Sequence, residues 1–450
     1  MQFKSTLCVA SDATVQLTKE LIYDDAFINK NRTKPEHFTR RRKLPFSSVM
    51  VMLLQKTVRS IQSHLHAFFK EFDADIRSAK ASSWCSARMK LRHTAFIELN
   101  ERAVLDVVYR KNTDFQVHRW NGHRLIAIDS SLVRLPDNDA LGEEFGWVLN
   151  SNKSGDCGQF PQARLSALTD VLNHIVIEAS FVPWKQAERD LACQHLKALE
   201  PQDVAILDRG YASYDLFAEF ICADRRFVCR CKSTSFAIVR QLFKENQAGK
   251  SVVVTLRPSA DKRAKKKRRE GLPEEITVRF VTVRLSTGEL EVLATNLLDE
   301  QAYPTEDFGE LYHKRWGIET YYDVIKNRLD LQNFTGLSAE AVRQDLYSTI
   351  FLSNFESILI RPAQEELQRK SERLKNRQQV NHSVSFHAIK SEIIRLLLSD
   401  KPTSQVLSET RLLFLDNPVS TRSRRIVPRK KKKQLGNSYN YQRNVKKSVF

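Results

Sequence analysis

Three carboxylates stand at positions where an acid has chemistry to do. Asp129 ends the apolar run Leu125–Ile128 in "HRLIAIDSSLVRLPD", and Asp208 ends "DVAILDRGYAS". Both runs read as short buried strands that carry an acid at their end. A charged acid there is costly unless a metal, a cation or hydrogen bonds satisfy it. The third, Glu319, lies in "YHKRWGIETYYDVIK". On a helix Tyr312, Arg315, Glu319 and Lys326 fall within about 60° of arc. Leu311, Ile318, Tyr321, Ile325 and Leu329 form an adjacent apolar stripe that can dock on a sheet. Magnesium takes oxygen ligands, and two-metal phosphodiester chemistry needs carboxylates that converge. Arg, Lys and Tyr beside them suit phosphate. From periodicity alone, a salt-bridged surface stripe is an equal reading. For each strand acid, simple capping of the next turn is the alternative.

The elements that must position these residues follow from pattern. Residues 1–120 read as helical and basic, with a cationic segment "TRRRKLP" at 39–45. Ile61, Leu65, Phe68 and Phe72 recur at helical spacing, and "SARMKLRHTAFIELNERAVLDVVYR" reads as a further helix. This region is a small DNA-touching domain or a helical cap. "ARLSALTDVLNHIVIEASFV" predicts two strands joined through Leu172-Asn173-His174. "WKQAERDLACQHLKALE" predicts a helix with Ala187, Leu191, Leu196 and Leu199 on its apolar side. Ser213 is set to cap the helix that follows the Asp208 turn. "RRFVCRCK" is a strand with Cys229 and Cys231 on one face. Between about 233 and 300, "SVVVTL", "ITVRFVTVRL" and "LEVLATNL" are strand-like around a cationic loop at 261–271. The alternation of the middle strand changes phase, which predicts a bulge or burial on both faces. Residues 305 to about 360 and "FHAIKSEIIRLLL" read as helical, and a basic tail occupies 421–436.

Composition narrows the class. The chain has 450 residues, 42% of them hydrophobic, and 72 Lys+Arg against 53 Asp+Glu give a net charge of +19. Clustered positive charge suggests a polyanion partner, most simply nucleic acid. Seven cysteines at irregular spacing argue against a disulfide framework and for a reducing, cytoplasmic setting. Cys222, Cys229 and Cys231 lack a nearby fourth zinc ligand. No apolar stretch is long enough to span a bilayer, and no signal peptide is evident.

Tyr312-x-x-Arg315-x-x-x-Glu319 with Lys326 seven residues on resembles the Y-R-E-K signature of bacterial insertion-sequence DDE transposases. "LATNLLD", "KRWGIE" and "LDRGY" are similar to the surrounding text of that family, and the resemblance covers about residues 80–365. It implies an α/β fold: a ribonuclease-H-like mixed sheet with flanking helices and a β-rich insertion before the last catalytic helix. The domains expected are a helical, basic DNA-binding region at 1–120, a catalytic domain at 121–360, and a helical region with a basic tail at 361–450. The resemblance implies that Asp129, Asp208 and Glu319 bind two Mg2+ ions, or Mn2+. Tyr312, Arg315 and Lys326 would contact DNA phosphates. It implies a transposase that binds its element's terminal inverted repeats as a homodimer, cleaves them and joins the 3′-hydroxyls to target DNA, with no membrane partner. A nuclease or resolvase limited to hydrolysis and an inactive DNA-binding relic are the rival readings. Many relatives carry Gly after the first acid, where this chain has Ser130, a difference that bears on local geometry.

Overall fold

The computed structural model describes residues 9–40, 42–57, 60–72, 78–111, 113–151, 157–259, 271–285 and 287–421. It divides into two compact units, one of Met1–Val117, Arg134–Gln162 and Val324–Phe450, the other of His118–Val133 and Ala163–Asp323.

The second unit is built on a mixed sheet. Its elements are β1 (Leu125–Arg134), β2 (Cys157–Asp170), β3 (Ile175–Pro183), α1 (Glu188–His195), β4 (Val204–Leu207), α2 (Tyr214–Cys222), β5 (Arg226–Cys231), α3 (Ala237–Glu245), β6 (Ser251–Leu256), β7 (Ile276–Arg284), β8 (Leu290–Thr295), α4 (Asp307–His313) and α5 (Trp316–Asp323). β1 runs one residue into the other unit, and β2 begins there. The strand order is β3-β2-β1-β4-β5-β8-β7-β6. β1, β4 and β5 are parallel, and β3 lies antiparallel to β2. Val171 N donates to Leu125 O and Leu135 N to Pro161 O, each at 3.0 Å, so the chain after β2 meets the start of β1 and the chain after β1 meets the start of β2, and the two strands run antiparallel. This is the ribonuclease-H-like mixed sheet expected. The insertion strands extend it, because β8 pairs antiparallel with β5.

One face of the sheet is closed by α1, α2 and α3 over Ile126, Ile128, Leu207, Phe227 and Phe280. Phe217 and Phe227 stack at 4.6 Å. Each such ring contributes about 1.5–3 kcal/mol on burial. Cys229 and Cys231 join this core, as the alternation of β5 predicts, so Arg230 points to the other face. The phase change in β7 is two-sided burial: its register with β6 and β8 has no shift, and Phe280 and Val281 are both fully buried. The Leu172–His174 turn is present, with His174 at φ 57°. Ser213 caps α2 through Leu216 N.

Several local expectations shift. β1 does not end at Asp129 but continues to Arg134, so that acid lies mid-strand. The helix predicted over 184–200 is shorter: α1 covers eight residues and a 3-10 turn, Leu196–Ala198, follows. Residues 312–326 are not one helix. α4 stops at His313, a turn holds Lys314 and Arg315, α5 restarts at Trp316, and Val324–Arg328 is π-helical. Arg279, fully buried, donates to Leu297 O, Tyr303 O and Thr305 Oγ1, which fixes the segment leading into α4.

The first unit is helical. Its longest helix, Ala339–Ser371, starts with a Ser338 cap and contains Pro362. The Ile61–Phe72 helix buries Leu65 and Phe68, as its stripe predicts, and His382–Leu397 is the helix expected near the carboxyl end. The helix expected over 86–110 is broken. Ala81–Arg88 ends, Leu91 forms a β-bridge with Arg32, and Thr94–Asn100 then widens into a π-helix over Glu101–Arg110. Long-range backbone bonds from Arg92 N to Asn31 O and from Thr33 N to Lys90 O replace the helical ones there. Trp147–Ser151 pairs with the first residues of β2. Gly142 is obligatory, since a Cβ there would lie 1.9 Å from the Trp147 ring. The loop at 261–270 and the tail from 422 onward lie outside the described residues.

Candidate active site

The parallel ladder between β1 and β4 pairs Leu125 with Val204 through Ile128 with Leu207. Asp129 and Asp208 are the next residue on each chain, so the two acids stand side by side on adjacent strands. Both lie in the second unit. Their surroundings differ. Burial pushes the Asp129 carboxyl up to about 6, with Ser130 N–H and Arg315 opposing that rise and the charges of Asp208 and Glu188 adding to it. For Asp208 burial also acts upward, but the Arg209 N–H and the guanidiniums of Arg230 and Arg315 outweigh it and hold it below the usual range. Arg230 bridges Asp208 Oδ1 and Glu291 Oε1, each at 2.7 Å.

Glu319, on the first turn of α5, accepts from Arg315 Nη2 at 2.6 Å. Arg315 interacts electrostatically with both Asp129 and Asp208, so one guanidinium relates all three acids. Tyr312 sits beneath two cations, its ring 5.8 Å from Arg230 and 5.7 Å from Arg315. Burial drives its phenol pKa up, so the hydroxyl is a donor at neutral pH. Tyr322 Oη donates to Asp129 O at 2.7 Å and ties α5 to β1. Gly317 lies close against Val171, where an added Cβ would come to 3.1 Å from Val171 Cβ.

The sequence placed Tyr312 and Arg315 on an exposed edge. They are instead 4% and 3% exposed, while the Glu319 side chain is 37% exposed. The turn at Lys314 and Arg315 breaks the single helical wheel and swings them inward. The apolar stripe Leu311, Ile318, Tyr321, Ile325, Leu329 is buried throughout. Trp316 is 41% exposed with the Arg315 guanidinium 5.4 Å from its ring. Lys326 belongs to the other unit, on the π-helical turn, and burial lowers its ammonium to about 8. Arg230, Glu188 and Arg164 were missed. The alternation Cys229-Arg230-Cys231 was the available signal for the first, since a cation opposite two core thiols must face the acid side of the sheet.

A family model described as "Transposase DDE domain" matches residues 120–355, more than half of the chain. The chain belongs to the DDE transposase family. Relatives include the transposase InsG for insertion sequence element IS4 of Escherichia coli (strain K12), 25% identical over 70% of this chain and 70% of that protein. The putative transposase y4zB of Sinorhizobium fredii (strain NBRC 101917 / NGR234) is 30% identical over 34% of this chain and 41% of its own length. Among solved structures, a piggyBac transposase synaptic complex with hairpin DNA aligns at a TM-score of 0.42 and 12% identity, over 93% of this chain and 88% of that chain. Among the described residues of this chain no group of three or more His, Cys, Asp or Glu side chains is gathered to hold a metal. Arg230 draws on Asp208 and Arg315 on Glu319. No helix of the described residues is long and apolar enough to cross a membrane.

Proposed function

We propose that this DDE transposase binds the terminal inverted repeats of its own insertion sequence, cleaves the ends and joins the freed 3′-hydroxyls to target DNA. The observation that carries this is the register of β1 and β4, which sets Asp129 beside Asp208 at the end of a parallel ladder. The donor set is all carboxylate, which suits a hard divalent cation. Asp129, Asp208 and Glu319 would hold two Mg2+ or Mn2+ ions, with Arg230 and Arg315 as the cations that occupy Asp208 and Glu319 beforehand. Bound, such ions activate the attacking oxygen and stabilise the leaving one. The protein groups do the rest by position and charge. Arg315, released from Glu319, supplies a bidentate phosphate grip and Tyr312 a hydroxyl donor; Lys326, on the helical unit, is proposed separately as a phosphate contact.

A second surface supports a DNA partner. In the first unit an open groove of about 970 Å³ is lined by Arg40, Arg42, Lys43, Lys80 and Lys90, with Glu36 as the one acid among the described lining residues. Leu44, Ala79 and Ala87 form an apolar floor, all buried. The basic segment expected at 39–43 thus forms one rim of it, apart from Arg41, which is outside the described residues. Phosphodiester backbone fits such a groove. The functional complex is read as a homodimer, so that two ends are processed together.

The test is incubation of the full chain with Mg2+, a plasmid carrying the reading frame and its native flanking DNA, and a target plasmid. Joined products are expected. Asp129→Asn, Asp208→Asn and Glu319→Gln should each lower their yield by about 100-fold or more. Cleavage without joining would favour a nuclease or resolvase, and strand transfer unchanged in Asp208→Asn would overturn the assignment.

A further inference from the structure

The β1–β4 register brings Asp129 beside Asp208, but the ladder stops one residue short of both, so it does not itself hold the two carboxylates or the turn after Asp208 in place. Other groups must do it. Helix α1 opens with Glu188 and Arg189, and these two side chains reach both acid-bearing segments. Arg189 donates to Gly210 O through Nε at 3.0 Å and Nη2 at 2.9 Å, and Nη2 also reaches Ala212 O at 3.3 Å. Those carbonyls belong to the turn that follows Asp208. Glu188 forms an ion pair with Arg164. Arg164 Nη1 donates in turn to Ser130 Oγ at 2.9 Å, and its Nε and Nη2 rest on Trp184 O at 3.3 and 3.2 Å. Ser130 N donates to Asp129 Oδ1 at 2.8 Å, so the Ser130 backbone orients that carboxylate.

We infer that Glu188, Arg189 and Arg164 form a brace, anchored on the first turn of α1, that sets Asp129 and Asp208 relative to each other. They are positioning residues for the reaction assigned above, and the inference rests on that assignment. An exposed ion pair alone would contribute little. Here the Arg164 side chain is only 14% exposed and is satisfied on three sides, which makes it a rigid link rather than a surface contact. Arg189 is exposed, but its fork closes on two carbonyls of one turn, a geometry that a lysine cannot reproduce. The brace also accounts for Ser130. Its hydroxyl takes the Arg164 bond that a glycine at this position would leave unmade, and so adds a link on the Asp129 side.

Small errors in the placement of reacting groups are expensive, about 100-fold for a displacement near 1 Å. The test uses the full chain in single-turnover cleavage of a plasmid with the reading frame and its native flanks, at saturating Mg2+. Arg189→Gln and Arg164→Gln should each slow cleavage by about 10- to 100-fold. Binding to a labelled duplex of the flanking DNA and the melting temperature should stay at wild-type values. Guanidinium ion added to Arg189→Ala should restore part of the rate, which a general loss of stability would not allow. Cleavage within twofold of wild type, or losses that track DNA affinity or melting, would overturn the brace. Asp208→Asn run in parallel separates the two claims. If Asp208→Asn is inactive while both arginine variants cut normally, only the brace falls; if Asp208→Asn cuts normally, the catalytic assignment falls and the brace with it.

Discussion

At the residue scale, neighbours rather than residue type set each acid's behaviour. Asp129 and Asp208 are the same amino acid one strand apart, yet burial wins at Asp129 and arginines win at Asp208. Arg230→Gln should therefore raise the Asp208 pKa above its wild-type value, as followed by carboxyl carbon NMR in metal-free protein; an unchanged or lower value would deny Arg230 that role. Chemistry-bearing trios can also be structural. Ser166 Oγ, His195 and Glu178 align like a nucleophile, base and orienting acid, at 3.0 and 2.9 Å, but Ser166 is fully buried and no substrate can reach it. A pH-sensitive pair lies in the helical unit. Burial opposes the charged form of His382, but the bond and charge of Glu356 outweigh it, so the imidazole pKa is raised. A raised folded pKa stabilises fully below the unfolded value of 6.5 and loses that stabilisation as pH rises through the folded pKa. Melting temperature should accordingly fall from about pH 6 to about pH 8. Glu356→Gln should flatten that fall, and a fall as steep as in the wild type would assign it to other groups.

At the element scale, helix ends are where prediction and structure part. The Ala81–Arg88 helix is stapled to Ala339–Ser371 by one buried side chain. Arg88 donates to Gln344 Oε1 at 2.7 Å, Ala341 O at 2.6 Å and Asp345 Oδ1 at 2.7 Å, and both charges are at least 96% buried. Asp345→Ala strands the guanidinium and should cost about 3–5 kcal/mol in a denaturant titration. A loss below about 1 kcal/mol would show that the pair is dispensable. None of this was legible in sequence, because Arg88 and Asp345 meet only through tertiary packing. Burial patterns were legible: the apolar stripe beside Glu319, the core thiols of β5 and the two-faced β7 follow from period alone. The Ser213 cap was legible from residue type, whereas Asp129, read at a strand end, lies mid-strand. The stop after His313 was not. No Gly or Pro marks it until Gly317, and a wheel drawn at constant angle carries Tyr312 and Arg315 to the wrong side of the turn. The break at Met89–His93 was hidden similarly, since a bridge to Arg32 outcompetes the helical bonds.

At the scale of the whole molecule, a net charge of +19 makes DNA affinity a salt-dependent quantity. Arg40, Arg42 and Lys80 are exposed on the groove of the helical unit. Substituting all three by Gln should weaken binding to any duplex and reduce the log–log salt slope by up to about 0.9 per lost contact. Fluorescence anisotropy across a salt series reads this, and an unchanged slope would remove the groove from the DNA path. The chain visits its two units in alternation: the helical unit takes residues before, between and after the two stretches that build the sheet. That has a consequence for synthesis. A nascent chain reaches Asp323 with every residue of the sheet-bearing unit already made, while the helical unit still awaits Ala339–Ser371. The acids can therefore meet on the ribosome before the groove-bearing unit is finished. A reading frame cut short after Asp323 would retain all three acids and the Tyr322 tie on a protein without its longest helix.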